Sequence, residues 1–91
     1  MQTIRVALIE DSPGDARLIQ EVLSEAESSA RFAVTHYDRL GAAIPMISPD
    51  DADVILLDLS LPDSHGLYTL STALAHARGT PIVVITVTET E

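Results

Sequence analysis

The block "ADVILLDL", residues 52–59, is aliphatic at both odd and even positions, with "SPDD" before it and "LPDSHG" after it. A strand with apolar side chains on both of its faces has to be covered on both, and the architecture that does so is a parallel sheet with helices packed on either side. Two more segments share this character. "TIRVALI", Thr3 to Ile9, is β-branched and mostly apolar and stops at Glu10 and Asp11, while Pro81 opens "PIVVITV". In "RFAVTHY", Arg31 to Tyr37, Phe32 and Val34 alternate with polar neighbours, as an edge strand would. The chain is 46% hydrophobic but only 3% aromatic, so Ala, Val, Ile and Leu rather than rings must build the core.

Helices are expected between these strands. Ser12 and Pro13 suit a helix start, and Ile19, Val22, Leu23 and Ala26 fall on one face of a helix from about Pro13 to Glu27. "DRLGAAIPMIS" predicts a short or kinked helix with Asp38 as its cap, because Gly41 and Pro45 weaken its interior. From Gly66, the residues Leu67, Leu70, Leu74 and Ala77 repeat at helical spacing until Gly79. "TETE" at residues 88–91 offers a further helix start, since acids suit a first turn. The order is βαβαβαβ, and right-handed crossovers place helices on both faces of a doubly wound parallel sheet. No repeat, linker or low-complexity stretch divides residues 1–91, so one domain is expected.

The formal net charge of -9 argues against direct contact with nucleic-acid phosphates or anionic lipid, and favours metal ions or basic protein surfaces as partners. With no cysteine, neither a disulfide framework nor a thiolate metal site is possible. "MQTIRVALIEDS" lacks the features of a signal peptide, and no apolar run nears the roughly 18 residues of a membrane span. A cytoplasmic protein without membrane contact is expected.

In a sheet of this kind, functional residues gather at the carboxyl ends of the strands. Glu10 and Asp11 end the first strand, Asp58 the third, and Thr86 lies near the end of the fourth. Carboxylates brought to one rim repel one another unless a cation holds them, and Mg2+, a hard ion with oxygen ligands, is the natural one. Asp58 is then placed as a nucleophile toward a phosphoryl group, with the Thr86 hydroxyl as a donor to its oxygens.

"ALIEDSPGDARLI", "VILLDLSLPDSHGL" and "PIVVIT", in that order and at these separations, resemble the receiver domain of bacterial two-component response regulators. The resemblance covers essentially the whole chain. It implies a flavodoxin-like doubly wound parallel sheet of strand order 2-1-3-4, and Asp58 as phosphoacceptor for a sensor histidine kinase or phosphotransfer protein. It further implies Mg2+ on Glu10, Asp11, Asp58 and the backbone carbonyl of Ser60, Pro62 and Gly66 shaping the loop, and Thr86 as the switch hydroxyl. Receiver domains have a fifth strand and further helices that the chain lacks, so residues 1–91 read as a receiver incomplete at its C-terminus. The family's lysine is absent too, since all five basic residues are Arg.

Other residues have plainer roles. Asp15 and Asp63 read as helix-start and loop acids, Ser12 as an N-cap, and His36, His65 and His76, without metal-ligand spacing, as surface residues. Phosphohydrolases of the haloacid dehalogenase kind also use a strand-end Asp, but need a second Asp two positions later, where Ser60 stands. The expected function is therefore phosphorelay signalling, not enzymatic beyond the domain's own phosphorylation and dephosphorylation. A receiver-shaped binding or assembly module that works without phosphorylation is the alternative. Because "PIVVITV" carries no charge to blunt an open edge, a homo-oligomer or a place within a longer polypeptide is expected.

Overall fold

The structure, a computed structural model, describes residues 2–26 and 30–85. Four parallel strands form the main sheet: β1 (Gln2–Ile9), β2 (Ala30–Tyr37), β3 (Val54–Asp58) and β6 (Ile82–Ile85), in the order β2-β1-β3-β6. This is the expected 2-1-3-4 order. Between β3 and β6 lies an antiparallel ribbon of β4 (Ser60–Leu61) and β5 (Ser64–His65), too short for the sequence to signal. The helices are α1 (Pro13–Glu25), α2 (Leu40–Ala43), continued by a 3-10 turn at Ile44–Met46, and α3 (Gly66–Ala77).

Ala7, Ile9, Ile55 and Leu57, one face of the central strands, pack with Leu40, Ala43, Ile47, Ala73 and Ala77 in the main core. Val6 and Leu8, of opposite parity on β1, are buried as well, which is why β1 reads as continuously apolar. The burial of residues of both parities on β1 accounts for the aliphatic composition without rings.

The helix faces differ from the periodicity. On α1 the buried residue is Ala16, with Ile19 and Leu23 half-buried, while Val22 and Ala26 are exposed. The buried position thus falls in the first turn of α1, and Val22 lies on the exposed side. On α3 the buried residues are Thr69, Ala73 and Ala77; Leu70 is half-buried and Leu67 and Leu74 are exposed. Thr69 can be buried because its Oγ1 lies 2.6 Å from Ser64 Oγ, a hydrogen bond that replaces water. The small Ala73 and Ala77 are the residues of α3 that join the main core.

Ser12 caps α1 as expected, its Oγ accepting from Asp15 N at 3.3 Å with Pro13 next in line. The α1 end expected at Glu27 lies outside the described residues, and the helix itself closes at Glu25 with Ala26 as its cap. Asp38 is not the cap of α2. Its Oδ1 instead pairs with Arg39 Nε at 3.1 Å, and Arg39, at the N-cap position, makes no side-chain bond to the helix. α3 ends through Arg78 and Gly79, both at positive φ. The helix start expected at residues 88–91 lies outside the described residues.

Candidate functional site

Parallel register fixes the site. Ile9 pairs with Leu57, so Glu10 and Asp58 leave their strands side by side at the carboxyl rim. Glu10 N donates to Tyr37 O at 3.0 Å, which extends the ladder by one residue and holds Glu10 at the sheet. Glu10, Asp11 and Asp58 each bring a carboxylate oxygen within 4.8 Å of one another. Their surroundings differ: Glu10 is buried at 2% exposure, Asp58 is half-buried, and Asp11 is exposed.

Burial foremost, with the neighbouring Asp58 and Asp11 acting in the same direction and the Ser12 N–H, donating to Oε2 at 3.2 Å, acting against them, leaves the Glu10 carboxyl pushed up to about 7. Three carboxylates this close together form a hard, anionic oxygen donor set suited to a small divalent cation. Asp58 has one oxygen engaged, its Oδ1 accepting from Ser60 N at 3.0 Å. A carboxylate oriented by a hydrogen bond at one oxygen can present the other as a nucleophile.

Glu10, Asp11 and Asp58 are thus brought together, with Ser60 beside them. Thr86, which follows β6 in sequence, lies outside the described residues. Gly66 adopts φ 64°, a left-handed conformation that suits glycine, and its N–H donates to Leu59 O at 2.7 Å, closing the loop after Asp58. Two contacts had no signal in the sequence. The Ser60 N–H holds the carboxylate two positions before it, and His36 Nε2 lies 2.6 Å from the Glu10 carbonyl oxygen. A carbonyl only accepts, so that nitrogen carries the proton. All three histidines are otherwise exposed, as expected.

The family model for the response regulator receiver domain matches residues 6–91. The chain belongs to that family. Among relatives of this receiver, the transcriptional regulatory protein BaeR of Escherichia coli O6:H1 is 34% identical over 84 residues, covering 92% of the chain and 33% of BaeR. The cell cycle transcriptional regulator CtrA of Caulobacter vibrioides is 35% identical over 82 residues, covering 90% of the chain and 34% of CtrA. The chain thus spans about a third of the length of these curated relatives. Among solved structures, the phosphorylated cyanobacterial phytochrome response regulator RcpA matches with a TM-score of 0.73 at 30% identity, over 90% of this chain and 64% of that one. The Mn(2+)-bound form of response regulator Rcp1 matches with a TM-score of 0.74 at 29% identity, over 97% and 68%. The receiver is a signalling domain of two-component response regulators, and among the described residues no helix is long and apolar enough to cross a membrane.

Proposed function

We propose that this receiver accepts a phosphoryl group on Asp58, with Mg2+ held by Glu10, Asp11, Asp58 and the backbone carbonyl of Ser60. The convergence of the three carboxylates at one rim is the observation that carries this reading. Asp58 attacks the phosphorus of a phosphohistidine on a sensor kinase or phosphotransfer protein. An O–P bond forms, the P–N bond breaks, and its electron pair leaves on the imidazole. Mg2+, when bound, neutralises charge on the phosphoryl oxygens. The Ser60 N–H orients Asp58, buried Glu10 sets the depth of the site, and the Thr86 hydroxyl is the switch donor to the transferred group. A manganese-bound relative and a phosphorylated one support the same reading.

Residues 1–91 contain no lysine, so in the 91-residue polypeptide taken by itself no lysine ammonium meets the phosphoryl oxygens. Removing one such electrostatic partner costs on the order of 3 kcal/mol in the transition state, roughly a hundredfold in rate. Acetyl phosphate with Mg2+ is therefore expected to add one phosphoryl group over hours rather than minutes, as followed by intact mass. Rapid stoichiometric labelling would show that the missing ammonium is unimportant. Asp11→Asn, which removes one anionic ligand but not the nucleophile, is expected to weaken Mg2+ binding by about tenfold or more, or 1.4 kcal/mol per tenfold. Equal affinities in calorimetric titration would remove Asp11 from the site.

The reading extends to assembly and location. The domain acts in the cytoplasm without binding nucleic acid itself, and serves either as a homo-oligomer or within a longer polypeptide. Val83 and Val84 are exposed on β6, and among the described residues no strand pairs with its outer edge. Uncharged β-branched edges of this kind invite pairing with another chain. The 91-residue polypeptide is expected to self-associate at micromolar concentration, and a sharp monomer peak in light scattering coupled to size exclusion would contradict that.

A further inference from the structure

Asp63 sits at the turn of the β4–β5 ribbon and reaches across to α2. Its Oδ1 accepts from Leu40 N at 2.9 Å and its Oδ2 from Gly41 N at 2.8 Å, so one carboxylate spans the first two N–H groups of a helix that has no side-chain cap of its own. The partner residue is matched to this contact. A Cβ at Gly41 would stand 3.2 Å from Asp63 Oδ2, a separation that forces one of the two to give way. The other end of the ribbon is fixed as well, by the buried Ser64–Thr69 hydroxyl pair and by the Gly66 N–H on Leu59 O. The loop between Asp58 and α3 is thus clamped to both helices, and Ser60, at its near end, holds Asp58 through its N–H.

We propose that Asp63 is a positioning residue of the phosphoacceptor site: by pinning the ribbon turn to α2 at Gly41, it fixes the Ser60 backbone that faces Asp58. The inference rests on the reading of Asp58 and Ser60 given above, and it explains why a carboxylate and a glycine stand at these two positions. A helix cap alone would leave the Ser60 backbone indifferent to residue 63. A tether makes the two ends of the ribbon move together.

The test uses the full chain with Asp63→Ala, Asp63→Asn, Gly41→Ala and the double variant Gly41→Ala/Asp63→Ala. Without divalent cation, the Ser60 amide resonance is expected to move in Asp63→Ala and to return part of the way in Asp63→Asn, which keeps one acceptor oxygen. In urea unfolding, Gly41→Ala is expected to lower the midpoint in the wild-type background. It should raise the midpoint once Asp63 is Ala, because alanine is then simply the better helix former. Asp63→Ala should also weaken Mg2+ binding by at least about tenfold, the range in which outer supports of a metal site act. An unmoved Ser60 resonance together with an unchanged Mg2+ affinity would overturn the proposal and leave Asp63 as a helix cap. A wild-type protein that takes up no Mg2+ would count against the cation site, while the Ser60 resonance would still decide the tether.

Discussion

Asp58→Asn is expected to abolish phosphoryl acceptance while making the cation-free protein more stable. An amide has no nucleophilic oxygen anion, so labelling by acetyl phosphate should vanish rather than slow. The amide oxygen can still accept from Ser60 N, the bond that Asp58 Oδ1 now accepts at 3.0 Å. The loop therefore keeps its anchor. What disappears is a like charge beside buried Glu10, whose carboxyl Asp58 helps to push up. Relief of that repulsion is expected to be worth about 1–2 kcal/mol near neutral pH, on the scale of 1.36 kcal/mol per pKa unit. Opposite signs for activity and stability mark a site built for function, where a stabilising change removes the chemistry. Urea unfolding of wild type and Asp58→Asn in chelator measures the second effect, and a lower midpoint in the variant would contradict it.

Stability in chelator is also expected to fall between about pH 4.5 and pH 7. The Glu10 carboxyl ionises at about 7 in the folded chain against 4.5 ordinarily, so over this range the native state binds more protons than the unfolded one. The contribution of Glu10 is therefore fully present below the ordinary value and is lost as pH rises through the folded one, up to about 3 kcal/mol in all. Asp53 and Asp63 act in the opposite direction. The Arg5 guanidinium beside Asp53, and the Gly41 and Leu40 N–H groups on Asp63, hold those carboxyls low, so what they add is lost only in stronger acid. Mg2+ should flatten the fall, because ionised Glu10 is the form that binds a cation. A urea midpoint that stays constant or rises from about pH 5 to pH 7 in chelator would contradict the assignment of strain to Glu10.

The central strands and the rim were legible in the sequence because a strand such as β1, buried at both parities from Val6 to Ile9, is continuously apolar and stops where the chain meets acids and turn residues; β6 was legible from its β-branched run alone, since Val83 and Val84 are exposed. Strand ends of this kind place Glu10, Asp11 and Asp58 at the same edge, where the structure has them. The Ser12 cap of α1 was legible because its partner lies three residues on, whereas the helix faces and the cap of α2 were not, because they depend on partners far along the chain. Periodicity favoured Leu67 and Leu74, yet Thr69 is buried in their place because Ser64 satisfies its hydroxyl. Asp38 looked like the cap of α2 by position, but Asp63 supplies the capping carboxylate from another loop. The Ser60 N–H on Asp58 is a backbone contact, and no residue type encodes it.

The central claim is that Asp58 carries the phosphoryl group, and locating the acyl phosphate tests it most directly. After prolonged incubation with acetyl phosphate and Mg2+, borohydride reduction converts a phosphoaspartate to homoserine, which tandem mass spectrometry places in the sequence. The predicted result is homoserine at position 58 alone, formed only when Mg2+ is present and absent from Asp58→Asn. Homoserine at any other position, or none after prolonged incubation with the cation, would contradict it.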